Sequence, residues 1–406
     1  MRLTPRGRAA ATTAAALWAA SLVLASVAAA AAALAITAAL AWALLTLPKP
    51  RVRAQRSLAR DRFTEGEVVR EELELTLLSP GRVRGRVEEE RSAGLDAGHG
   101  SVFEVDLRRG QATRLALEWS TITWGRKRLG PLRIVVRDAL GLLEADDEER
   151  EVKEITVQPA ASKVGKYKAK AGNPEPALGA YGVSRPGDGS EFFALRTYQP
   201  GDSIRRINWK ATARSTETIV NQVNRENFAR VVLFVDLREK ESLGGPLACS
   251  AVRNGRAAAS ILAHHERQRD HLCAVSVSDE PRRLSIAANP RLGELLEALA
   301  NAPQGGDASL ERAVRAHLDQ VKSRSPIYFC TSGALDADLV GAIRVTQAMN
   351  ARPVLVSPRL PALAEDAATA EAIQRSRDEA LAAARGLGVP VVDWEEGKSL
   401  EVALAA

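Results

Sequence analysis

Residues 9–48 carry no charged side chain and consist mostly of Ala, Leu, Val and Ile. A helix that crosses a bilayer core needs about 20 apolar residues. As a single helix, residues 9–47 would reach roughly 58 Å at about 1.5 Å per residue, nearly twice that core. The pattern therefore predicts a transmembrane hairpin over 9–48, with two short spans joined near Ser26–Ala33. Arg2, Arg6 and Arg8 precede the run, and Lys49, Arg51, Arg53 and Arg56 follow it. Positive charge on both flanks is what a hairpin with two cytoplasmic ends requires. A cleaved signal peptide has an apolar stretch of only about 7–15 residues, shorter than this one. No later segment is long and apolar enough to span, so the expectation is a multi-pass protein of the plasma membrane with a cytoplasmic soluble part.

After the anchor the period changes to two. Residues 57–160 alternate apolar and polar positions in short runs: Val68–Leu78, Val83–Glu88, Val102–Leu107, Ala112–Glu118 and Leu132–Val136. Turn-forming residues at Ser79-Pro80-Gly81, Gly98–Gly100, Arg109-Gly110 and Gly130-Pro131 separate them. Half-buried strands with this punctuation predict an antiparallel β-sandwich of immunoglobulin-like type over 50–160. Residues 161–190 are rich in Gly, Pro, Lys and Ala without periodicity and read as a linker.

From 231 to 406 short apolar runs alternate with helical patterns. Strands are expected at Val231–Val235, Leu272–Val277, Ile327–Cys330, Pro353–Val356 and Val389–Val392, with another at Arg283–Ala287. Helices are expected at Ala248–Arg269, Arg291–Ala300, Leu310–Val321, Asp336–Met349 and Ala364–Arg385. Such alternation predicts βαβ units and a doubly wound α/β domain with a parallel sheet covered on both faces.

Composition narrows the functional classes. The 406 residues carry a net charge of +6. Between residues 163 and 230 there are twelve Lys or Arg and six Asp or Glu, a surplus equal to that of the whole chain. Basicity is thus concentrated in 161–230. Aromatic residues are only 4% of the chain, which leaves little stacking material for nucleic acid, and none is expected as a partner. Cys249, Cys273 and Cys330 have no CxxC spacing and read as small buried hydrophobes. His264, His265 and His271 complete no known metal-ligand spacing. No Walker-type loop or G-x-S-x-G elbow is present, and no cofactor is expected.

The densest motif is Gly189–Arg214, GSEFFALRTYQPGDSIRRINWKATAR. With Phe192, Arg196, Tyr198, Pro200-Gly201-Asp202, Arg205-Arg206-Ile207-Asn208-Trp209, Lys210 and Ala213-Arg214, it resembles the signature of the domain of unknown function 58 family. A second stretch, Arg126–Leu143, is similar to that family's strand pair ending in Asp-x-x-Gly-Leu, here Asp138, Gly141 and Leu142. The resemblance implies a von Willebrand A-like (Rossmann-like) α/β fold over 231–406. It also implies association with AAA+ ATPases of MoxR type and a part in chaperone-like maturation of protein clients. No enzymatic activity follows from it.

In von Willebrand A domains Asp-x-Ser-x-Ser after the first strand holds Mg²⁺ through one carboxylate and two hydroxyls. The corresponding residues here are Asp236, Arg238 and Lys240. Two cations in the hydroxyl positions repel a metal, so Asp236 is expected to pair with a basic side chain or to cap backbone. For the signature three readings stay open. Arg196, Asp202, Arg206 and Asn208 form an internal network with Trp209 buried; or Arg205, Arg206 and their neighbours dock an acidic partner; or they hold nucleic-acid or lipid phosphate. The expected function is a non-enzymatic, membrane-anchored assembly protein. The alternatives are a metal-dependent adhesion or ligand-binding module and a hydrolase using Asp202 or Asp236.

Overall fold

The computed structural model describes residues 1–47, 49–98, 102–162, 186–224, 230–238, 247, 249–287, 290–333, 338–359 and 367–395. The chain divides into two compact units, Met1–Pro159 and Ala160–Ala406. It is a mixed α/β protein with two apolar helices at its N-terminus.

Those helices are Pro5–Leu24 and Val27–Thr46, each of 20 residues and apolar enough to cross a membrane. At about 1.5 Å per residue each reaches roughly 30 Å, the thickness of a bilayer core. The break lies at Ala25-Ser26, at the early edge of the expected Ser26–Ala33 and without Gly or Pro. Ala25 takes the left-handed conformation, with φ of 48°. The Ser26 side chain accepts a hydrogen bond from the Ala29 amide and caps the second helix. Thr4 caps the first helix by accepting from the Gly7 amide at 3.0 Å.

The remainder of this unit is two β-sheets. A four-stranded antiparallel sheet contains Val52–Leu58, Val68–Leu77, Ala112–Thr121 and Leu95–Asp96. The other sheet has seven strands organised around Gly125–Arg137, which pairs antiparallel with Leu143–Glu149, Lys153–Gln158 and Arg82–Arg91. Alternate residues are buried, as in Val69, Leu73, Leu75 and Leu77 or Val83 and Val87, so the period of two reports one covered face per sheet.

An ion group lies in this apolar interior. Arg56 and Glu71 come from the smaller sheet and Glu89 from the larger. The Arg56 guanidinium reaches Glu71 at 2.9 Å and Glu89 at 2.5 Å, with all three side chains at most 3% exposed. The indole of Trp119 donates to Glu71 at 2.8 Å. Two carboxylates share one guanidinium, so a surplus negative charge is held away from water. Burial, aided by the charge of Glu71, pushes the Glu89 carboxyl up to about 7 against the pull of Arg56. Burial likewise raises Glu71.

The second unit holds the parallel sheet. Its strand order is Arg282–Arg283, His271–Val277, Arg230–Asp236, Pro326–Cys330, Arg352–Pro358 and Val391–Trp394. All pairings are parallel except that of Arg282–Arg283. Helices Ser250–Arg267, Leu292–Ala300, Leu310–Ala316, Leu339–Ala348 and Ala367–Gly386 connect them. The central strand, RVVLFVD, is buried from Val231 to Asp236, the continuous apolar run of a strand covered on both faces. Cys249, Cys273 and Cys330 are buried free thiols, and burial raises the pKa of Cys273 and Cys330.

A further antiparallel pair, Pro186–Thr197 with Ile219–Asn224, precedes the parallel sheet. It begins inside the stretch 161–190 expected to be linker, because the Gly-rich PGDGS run is drawn into a ladder by its partner strand. The linker residues 163–185 lie outside the described residues.

One pH dependence follows from the buried ion group. A carboxyl whose folded pKa exceeds its unfolded value of about 4.5 adds stability below that value and loses it as pH rises to the folded pKa. The melting temperature of the first unit should therefore fall from pH ~4.5 to ~7. Glu89→Gln, which cannot ionise, should flatten that fall when the full chain is melted in detergent and followed by circular dichroism. An unchanged slope would count against the assignment.

Candidate functional site

Arg230–Asp236 is the first strand of the parallel sheet in sequence, yet it lies in the interior. Its neighbours are His271–Val277, which follows next in the chain, and Pro326–Cys330, which follows later. The winding direction reverses between the strands ending at Asp236 and Cys330, and crevices outside such carboxyl ends are where open α/β sheets bind ligands.

This end of the sheet is occupied by the protein's own cation. The Asp236 and Arg238 side chains are both 0% exposed. Arg238 Nε donates to Asp236 Oδ1 at 2.7 Å, and Nη2 donates to Oδ2, the bidentate geometry that a planar guanidinium favours. The Arg238 amide also donates to Oδ1, at 3.2 Å. Thr331, one residue past the neighbouring strand, donates its hydroxyl to Oδ2 at 3.0 Å. The remaining Arg238 nitrogen, Nη1, donates to the Ala308 carbonyl at 3.1 Å. Asn254 donates to the Asp236 carbonyl at 2.9 Å. Asp236 thus pairs with a basic side chain, Arg238. Lys240 and Asp336 lie outside the described residues.

Sequence reasoning did not single out Thr331. Its role depends on two strands 95 positions apart becoming neighbours, and no local signal carries that. Among the described residues no three His, Cys, Asp or Glu side chains gather as metal ligands. His265 is buried instead between Asp270 at 2.7 Å and the Tyr328 hydroxyl at 3.1 Å.

The signature residues fold into a compact arm on the antiparallel pair. Gln199-Pro200-Gly201-Asp202 is a tight turn, closed by the Asp202 amide donating to the Gln199 carbonyl at 3.0 Å. Gly201 sits at φ of 107°, where a side chain would be strained. Arg196 grips Asp202 with both terminal nitrogens, at 2.7 and 2.5 Å. The Gln199 amide adds a bond to the same carboxylate at 2.8 Å. The Arg196 hydrogen bond, followed by that of Gln199, holds Asp202 below the usual carboxylate range. Asn208 caps the short helix Trp209–Thr212 by accepting from Ala211, and donates to Asn221 across the arm at 2.9 Å. The Tyr198 amide donates to the Thr218 carbonyl at 2.8 Å.

These bonds make Arg196, Tyr198, Gly201, Asp202 and Asn208 the framework of the arm. They leave Trp209 outward, which corrects the reading that buries it: its side chain lies at the start of a four-residue helix with 66% of its surface exposed. Ile204 is 69% exposed beside the turn. Arg205, Lys210 and Arg214 are exposed as well, and Arg206 is half-buried. The arm therefore presents large apolar side chains among cations. Exposure of Ile204 and Trp209 was not legible in the sequence, because apolar type alone argues for burial.

Truncating the buried cation gives the sharpest test of the sheet end. Arg238→Ala leaves the Asp236 carboxylate buried without a counter-charge, a loss of about 3–5 kcal/mol in a site of this kind. Unfolding of the full chain in detergent should show it, and Asp236→Asn on the Arg238→Ala background should recover a large part. Additive losses in the double variant would contradict the pairing.

Comparison with known proteins places this region. The family model described as "Protein of unknown function DUF58" matches residues 194–357, which contain both the arm from Ala194 and the Asp236–Thr331 cluster. The uncharacterized protein Rv1480 of Mycobacterium tuberculosis is 30% identical over 121 residues, covering 24% of this chain and 38% of that protein. The uncharacterized protein Mb1516 of Mycobacterium bovis matches with the same figures. The chain thus spans well under half the length of these curated relatives. Among solved structures, native alpha-2-macroglobulin from Escherichia coli aligns with 28% of this chain and 17% of its own at 22% identity, with a TM-score of 0.24. The CARDB domain of the PF1109 protein from Pyrococcus furiosus aligns with 28% of this chain and 96% of its own at 15% identity, with a TM-score of 0.21. Scores this low define no shared fold.

Proposed function

We propose that this chain is a non-enzymatic, membrane-anchored assembly protein whose signature arm docks a protein partner. In this reading the N-terminal hairpin spans the plasma membrane with both ends cytoplasmic. The two sheets after it are a β-sandwich of immunoglobulin-like type, and the parallel sheet is a von Willebrand A-like domain with a degenerate metal position. The partner is an AAA+ ATPase of MoxR type acting on protein clients.

The observation that carries the proposal is the exposure of Ile204 and Trp209 on a hydrogen-bonded arm beside Arg205 and Lys210. On an ordered segment, a Trp and an Ile left in water are held ready for a partner's apolar surface. Preorganised aromatic anchors among arginines are the composition of interface hot spots. The cation surplus suits an acidic face on the partner. The Asp236–Arg238 pair supports the same reading from the other side. With both carboxylate oxygens engaged by a guanidinium, magnesium-dependent ligand capture has no open ligand at that carboxylate.

The full chain in lipid nanodiscs, titrated with a purified MoxR-type ATPase, tests this. Truncation of a central Trp typically costs about 2 kcal/mol or more of binding. Trp209→Ala should therefore weaken association at least tenfold and leave the melting temperature in place, whereas Asp202→Ala should lower that temperature. Equal affinity for wild type and Trp209→Ala would sink the docking role of the arm. A tight magnesium signal in calorimetry that vanishes in Asp236→Ala would favour the adhesion-type reading instead.

A further inference from the structure

Asp138, Gly141 and Leu142, the second motif of the sequence, take no part in the function proposed above. They form a turn at the foot of the hairpin. Asp138 accepts from the Leu140 amide at 2.9 Å and the Leu143 amide at 2.6 Å, and Gly141 adopts φ of 67°. The turn is tied to the first apolar helix. The Thr4 amide donates to the Leu142 carbonyl at 3.0 Å, and the Thr4 hydroxyl donates to the Gly141 carbonyl at 2.7 Å. Gly7 packs so closely on Leu142 that a Cβ there would collide with its carbonyl oxygen. Arg2-Leu3 joins the sheet beside Leu143 and Glu144. The strand after the second helix is tied as well: the Arg51 carbonyl accepts from the Leu78 amide at 2.7 Å, and the Val52 amide donates to Asp147 at 2.8 Å.

These bonds fix Leu3 and Leu140 beside the start of the first apolar helix, and Leu78 beside Arg51, just before the strand that follows the second. Leu3 is 40% exposed, Leu140 52% and Leu78 49%. Around them stand the exposed cations Arg2, Arg6, Arg8, Lys49, Arg51 and Arg53. Among the acids bonded here, Glu144 is paired with Arg2 and Arg137, while Asp138 and Asp147 accept from backbone amides, which cancel no charge. Arg6, Arg8, Lys49, Arg51 and Arg53 outnumber those two carboxylates. The face is therefore apolar at its tips and cationic around them.

We infer that this face is a binding surface for the anionic phospholipid headgroups of the bilayer that the hairpin spans. The inference rests on the reading of the hairpin as a membrane anchor. Helices of bilayer length put their feet at the headgroup layer, and residues bonded to those feet share that depth. Leucine tips enter the interface, while the guanidinium groups pair with lipid phosphates. Continuity with the apolar helices and the sign of the charge both select a lipid surface as the occupant.

The native cysteines are buried, so a single Leu140→Cys in the full chain can carry an environment-sensitive fluorophore. Val102→Cys is the control, since Val102 is 51% exposed and pairs with Glu88, at the end of its ladder away from the Arg82–Arg108 pair. The chain is reconstituted in bilayers of phosphatidylcholine alone and with phosphatidylglycerol added, and its retention is measured by vesicle flotation. At position 140 the emission should shift to the blue when phosphatidylglycerol is added, with severalfold stronger quenching by a lipid spin-labelled near its headgroup. The shift should shrink in Arg6→Gln/Arg8→Gln/Lys49→Gln/Arg51→Gln, and position 102 should report water throughout. Flotation with an identical signal at 140 in neutral and anionic bilayers overturns the headgroup surface and leaves the anchor standing. Failure to float overturns both. A blue-shifted signal at 140 that the headgroup spin label fails to quench points to a protein cover instead and also overturns it.

Discussion

Asp236 stands at the carboxyl end of an interior strand of the parallel sheet, with its side chain 0% exposed. A carboxylate placed there is neutralised by a proton, by a cation taken from outside, or by one that is part of the fold. This chain supplies its own through Arg238, two residues on. The guanidinium also ties the strand end to the Ala308 carbonyl, while Thr331 fastens the neighbouring strand to the same carboxylate. The pairing that neutralises the charge therefore also joins the two strand ends between which the winding of the sheet reverses.

A comparable constraint governs the N-terminal unit with a different outcome. Arg56 bridges the two sheets through Glu71 and Glu89, but one guanidinium cannot balance two carboxylates. The excess is accommodated by raising proton affinity, so Glu89 titrates near neutrality. Asp236 has a fork-shaped partner and a hydroxyl to itself, whereas Glu89 shares its partner.

Much of the architecture follows from periodicity. The uncharged run at 9–48 is too long for one span, and two 20-residue helices result. The strands Val68–Leu77 and Val102–Arg108, the helix Ser250–Arg267 and the strand Pro326–Cys330 lie within one or two residues of the apolar patterns that predict them. Residues 186–190 show where this reasoning stops. Gly and Asp disfavour strand locally, yet Pro186 and Gly187 pair with Asn224 and Val223. A ladder formed with a distant segment outweighs local preference.

The sequence alone determined that the chain has an apolar hairpin, a β-rich segment, a basic signature and an α/β segment, because each rests on local periodicity or charge density. Tertiary structure decided which groups meet. It brought Thr331 to Asp236 across 95 positions and set Arg56 between two sheets. It tied the Asp138–Leu143 turn to the foot of the first helix, and it turned Trp209 outward on the arm. Each of these depends on contacts between segments far apart in the chain, and no local pattern encodes such contacts.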